Sequence, residues 1–73
     1  MRIVVIGDGK VGRSIIEHIS LEGHEVIVID SNEKNINELV NTYDVMGVCG
    51  NGVSYEVLKS AGVDKADLVI AVT

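Results

Sequence analysis

Four short runs rich in Val and Ile, Arg2 to Ile6, Glu25 to Ile29, Val45 to Cys49 and Leu68 to Val72, are separated by segments of helical period. That alternation leaves few folds open. Runs this short and apolar are expected as strands buried on both faces of a sheet. Between them, Lys10 to Leu21 sets Gly12, Ile15, Ile16 and Ile19 on one helical face, with Gly23 beyond it as a left-handed cap. Glu33 to Thr42 aligns Ile36, Leu39 and Val40, a line that Tyr43 continues, and Ser54 to Ala61 aligns Val57, Leu58 and Ala61 before a stop at Gly62. The order βαβαβαβ with short, right-handed connections predicts an α/β fold, a doubly wound parallel sheet of Rossmann type with four strands in the order 3-2-1-4.

At 73 residues the chain is one domain at most, spanning residues 1–73. A chain of this size removes only about 60% of its unfolded surface from water, so stability is expected to draw on a ligand, a partner or further sequence. The last apolar run, Leu68 to Val72, reads as an uncovered sheet edge, and the domain is expected to be truncated. Charge narrows the partners. Six Lys and Arg against eleven Asp and Glu give a net charge of -5, and aromatic residues make up 3% of the chain, which argues against a nucleic-acid partner. No apolar run approaches the roughly 20 residues of a membrane helix. Neither a signal-peptide cleavage pattern nor an internal disulfide is available, Cys49 being single, and both facts favour the cytoplasm.

Gly7-Asp8-Gly9-Lys10-Val11-Gly12 fits G-x-G-x-x-G and joins the first strand to the first helix, the setting in which that motif carries meaning. Gly7 permits the tight turn, Gly9 removes a side chain where a diphosphate approaches the backbone, and Gly12 lets the helix lie close to its strand. The N-terminus of that helix offers free N–H groups and partial positive charge to the anion. The alternative is a glycine turn that binds nothing.

Asp30 ends the second strand eighteen positions after Gly12, with Ser31 following, at a spacing suited to an acid that reaches the adenosine ribose. Asp30 with Glu33 also matches a capping-box spacing, which would make Asp30 only the cap of the second helix. Against a 2'-phosphate its carboxylate would face repulsion of up to about 4 kcal/mol per charge pair at 4 Å and an effective dielectric of 20, so NAD or an adenine nucleotide is expected over NADP. At the end of the third strand, Gly50 and Gly52 suggest close backbone approach. Asn51 either bonds the adenine or caps the third helix. Cys49 is expected as a small buried residue rather than a nucleophile, with no base beside it in sequence.

Together, Arg2 to Arg13, the acid at Asp30, Gly50-Asn51-Gly52-Val53 and Ala66-Asp67-Leu68-Val69-Ile70-Ala71-Val72-Thr73 resemble the TrkA N-terminal domain family, also called RCK or KTN, over essentially the whole chain. The resemblance implies a cytoplasmic regulatory domain that binds NAD or NADH, or ATP or ADP, and couples occupancy to a membrane-embedded potassium channel or transporter, usually as part of a homo-oligomer. By the same resemblance Gly7, Gly9, Gly12 and Arg13 line the diphosphate, with Asp8, Lys10 and Val11 in the same turn. Asp30 takes the ribose, and Asn51 with Ala71, Val72 and Thr73 lies near the adenine or the rest of the ligand. Asp8 puts a carboxylate where the family commonly has a neutral residue, and it would repel a diphosphate unless its side chain turns outward or Lys10 and Arg13 compensate.

Two other classes compete. Tyr55 and Lys59 spell Tyr-x-x-x-Lys, the pair of short-chain dehydrogenases, yet they fall on an early short helix and are expected as surface residues rather than as part of an NAD-dependent dehydrogenase fragment. No paired metal-ligand spacing occurs, and His18 and His24 are expected to be solvated. A structural assembly module with a vestigial ligand site is the third class. The expected reading is a regulatory domain and not an enzyme.

Overall fold

The computed structural model describes residues 1–7, 10–50 and 54–71, and for residues 10–12 the backbone alone. Its elements are β1 (Arg2–Ile6), α1 (Lys10–Leu21), β2 (Glu25–Asp30), α2 (Glu33–Thr42), β3 (Met46–Cys49), α3 (Tyr55–Ser60), a 3-10 turn (Val63–Lys65) and β4 (Leu68–Ala71). All three strand pairings are parallel, and the order is β3-β2-β1-β4, as the alternation predicts. The helices α1 and α3 are followed by Gly23 and Gly62, both with left-handed φ, 80 and 78 degrees.

Alternation along each strand divides the core into two layers. On one face, Ile3, Val5, Val26 and Val28 pack against Ile16 of α1 and Ile36 and Leu39 of α2. On the other, Val4, Ile27 and Ile29 pack against Ala61, with Val57 and Leu58 of α3 beside them. Two crossovers on one face and one on the other make the sheet doubly wound, and the direction of winding reverses between β1 and β4.

The central strands are buried on both faces, but β3 and β4 are not. Met46, Gly47 and Cys49 of β3 and Leu68, Val69 and Ala71 of β4 are exposed, because each strand has a neighbour on one side only. Val40, expected in the core line of α2, is 43% exposed over β3 for the same reason. Cys49 is likewise exposed rather than buried. Several boundaries move by one residue, α3 being shorter by one at each end. The second strand runs on through Asp30, and Val45 turns into β3 rather than opening it, its N–H donating to the Tyr43 carbonyl at 2.9 Å.

The amino end of the sheet is tied by paired groups. Arg2 and Glu25 are register partners, and their side chains form two N–H to carboxylate contacts of 3.2 Å. The Asp67 carboxylate accepts from the Arg2 backbone N–H at 2.7 Å, while the Asp67 N–H donates to the Arg2 carbonyl at 2.8 Å. One residue therefore fixes both backbone groups at the start of β1 and with them the register of β4.

Candidate functional site

Because all four strands run parallel, their carboxyl ends share one edge of the sheet, where open α/β sheets take ligands. Ile6 is in register with Ile29 and with Ala71, and Asp30 with Cys49. Gly7, Asp30, Cys49 and Ala71 thus come together at the rim. Gly7 has φ 127 degrees, which a side chain would strain, so a glycine is required where β1 turns towards α1. Its N–H is already committed, donating to the Ile29 carbonyl at 3.0 Å. Any anion held at this turn is bound by later N–H groups. Asp8 and Gly9 lie outside the described residues, as do the side chains of Lys10 and Val11, and Gly12 is described by its place in α1 alone.

Asp30 is 3% exposed, the buried charged residue of the described core. Its Oδ1 accepts from the Asn32 N–H at 2.8 Å, a turn of the backbone around its own side chain. Its Oδ2 is buried and has no hydrogen-bond partner among the described residues. A buried polar group without a partner costs about 1 to 3 kcal/mol, and more when charged. The edge therefore carries an unmet demand for a hydrogen-bond donor.

The capping alternative for Asp30 fails. The cap of α2 is Asn32, whose side-chain oxygen accepts from the N–H groups of Lys34 and Asn35 at 3.0 and 3.2 Å. Asn32 stands directly before the helical period, the usual place for such a cap, and that signal was available in the sequence. With capping assigned to Asn32, the Asp30 carboxylate has no role in starting the helix.

Arg13, in the first turns of α1, pairs with Glu38 of α2 at 2.8 Å, with both side chains 47% exposed. Ser31 is exposed, and its carbonyl accepts from the Cys49 thiol at 3.7 Å. Gly50 continues the ladder, donating to the Asp30 carbonyl at 2.9 Å. The group that approaches Gly50 is Val57 of α3, whose Cγ2 would stand 2.7 Å from an added Cβ. That glycine therefore serves packing between strand and helix. Asn51, Gly52 and Val53 lie outside the described residues, and so do Val72 and Thr73. The N-cap of α3 is Ser54, without a side-chain hydrogen bond, so the capping alternative for Asn51 does not hold.

Tyr55 is 76% exposed and Lys59 is exposed on the six-residue α3, consistent with surface positions. His18 is exposed and lies 2.9 Å from the Ser14 carbonyl through Nδ1. His24 is partly buried rather than fully solvated, its Nε2 3.3 Å from Glu22. Among the described residues no three His, Cys, Asp or Glu side chains converge as a metal site would require, and no helix is long and apolar enough to cross a membrane.

The family model described as the TrkA-N domain matches residues 3–73. Over all 73 residues the chain is 38% identical to the Trk system potassium uptake protein TrkA of Azorhizobium caulinodans and 37% identical to that of Halomonas elongata, covering 16% of each. A TrkA homolog of Methanothermobacter thermautotrophicus is 30% identical over 73 residues, with 34% of its length covered. The chain thus spans a minor part of the curated relatives it matches.

Proposed function

We propose, because the chain belongs to the TrkA-N domain family, that residues 1–73 form the N-terminal part of a regulatory domain that binds NAD or NADH, with ATP or ADP as the alternative ligand. The observation that carries this reading is the Asp30 Oδ2 atom, buried without a donor among the described residues at the edge where Gly7 turns out of β1. A ribose hydroxyl supplies the missing donor, and a carboxylate here disfavours a 2'-phosphate, so NADP is the poorer ligand. The diphosphate lies on the N–H groups that follow Gly7, at the start of α1, where the helix end also favours an anion. The ligand set is Gly7 to Arg13, Asp30 with Ser31, Asn51, and Ala71 to Thr73.

The relatives are named for potassium uptake. By membership the domain controls a membrane potassium channel or transporter from the cytoplasmic side, within a homo-oligomer, and carries out no catalysis. Ligand favours one arrangement of the sheet edge and its helices, and the partner senses the difference, a coupling typically worth about 1 to 3 kcal/mol. Calorimetric titration with NAD, NADH, ATP, ADP and NADP tests the reading. Asp30→Ala is expected to weaken NAD and to narrow its advantage over NADP; equal affinities in wild type and variant overturn the ribose assignment.

A further inference from the structure

Cys49 stands one strand over from the carboxylate that lacks a donor. It is the register partner of Asp30 in the β2–β3 ladder, and neighbouring strands lie about 4.8 Å apart. The two side chains also share a face of the sheet. Asp30 is two residues beyond Val28, which packs with α1 and α2. Cys49 is two residues beyond Gly47, where an added Cβ would meet Ile36 and Val40 of α2. Strand alternation therefore sets Asp30 and Cys49 side by side on the α1 and α2 face.

Both also hold the same turn. The Asn32 N–H donates to Asp30 Oδ1 at 2.8 Å, and the Cys49 thiol donates to the Ser31 carbonyl at 3.7 Å. Yet the two differ in access, since Asp30 is 3% exposed and Cys49 is exposed. Of the register pair, the thiol is the member that faces solvent.

We propose that Cys49 is a wall of the adenosine end of the pocket, so that an adenine nucleotide and a covalent group on this thiol exclude one another. The inference rests on the nucleotide reading of the Asp30 edge and adds a residue and a modification site to it. Iodoacetamide serves as the probe. The sulfur displaces iodide, a carbon–sulfur bond forms, and the thiol proton passes to solvent. Alkylation of the peptide containing Cys49 is followed by mass spectrometry, with calorimetry on the same protein.

At ten times the dissociation constant, NAD or ATP leaves about one site in eleven empty, so alkylation at Cys49 is expected to slow about tenfold. Pyrophosphate, which lacks the sugar, is expected to leave the rate unchanged. Protein already carbamidomethylated at Cys49 is expected to bind the nucleotide at least about tenfold more weakly, because the added group fills space at the adenosine end. Nucleotide binding by calorimetry with no change in alkylation rate overturns this inference and leaves the nucleotide reading standing. Equal protection by pyrophosphate also overturns it, since the shielding would then come from general ordering of the edge. Absence of any nucleotide binding removes both readings together.

Discussion

At the amino end of the sheet Asp67 holds both backbone groups of Arg2, and the Arg2 side chain lies across Glu25. At the carboxyl end Asp30 keeps one oxygen with no donor among the described residues, Gly7 adopts a conformation that strains other residues, and a thiol is open to solvent. The same four strands pass through both ends, so fold alone does not account for the contrast. One end is arranged to be satisfied by the protein itself. The other leaves a buried oxygen that no described residue satisfies.

The contrast is best tested by substitutions that separate affinity from stability. The largest effect is expected from Asp30→Asn, which keeps an oxygen to accept from Asn32 but removes the charge that a ribose hydroxyl would meet. Hydrogen bonds to charged groups contribute about 1.5 to 3 kcal/mol, so NAD affinity should fall roughly 10- to 150-fold. The melting temperature without ligand should not fall, since the buried carboxylate had an unpaired oxygen. A lower melting temperature with unchanged affinity would make Asp30 a structural residue and erase the contrast.

Next in size is Gly7→Ala. At φ 127 degrees an alanine is strained, and the expected loss is about 1 to 3 kcal/mol in urea unfolding. Replacing Asp67 with Ala should cost about 1 kcal/mol through the lost hydrogen bond to the Arg2 N–H, with NAD affinity within about twofold of wild type. A large change in affinity there would join the two ends functionally. The smallest effect is expected from Glu38→Gln, which removes the half-exposed partner of Arg13. Stability should change by less than about 1 kcal/mol, and titration of NAD at low and high salt reads whether the freed guanidinium helps hold the diphosphate.

Strand order and helix positions were legible because short continuous apolar runs and the 3.6-residue period between them are written directly in the sequence, and α1 and α2 match their expected bounds. Burial was less legible. The residues of β4 are as apolar as those of β1, and only the place of a strand within the sheet decides whether both of its faces are covered. The same circumstance exposed Cys49. At Asp30 the spacing allowed two roles, and Asn32, two positions on, removed one of them by taking the helix N–H groups itself. The orphaned Oδ2 could not be read from sequence at all, since it depends on which atoms surround the carboxylate after folding.

The parallel pairing also has a use for protein engineering. Every connection that leaves the carboxyl edge returns through a helix, so a grafted insertion there can be lengthened or rewritten while the Asp67 clamp stays out of its reach. The contacts that the protein closes for itself and the oxygen left open among the described residues thereby lie at opposite poles of one small molecule.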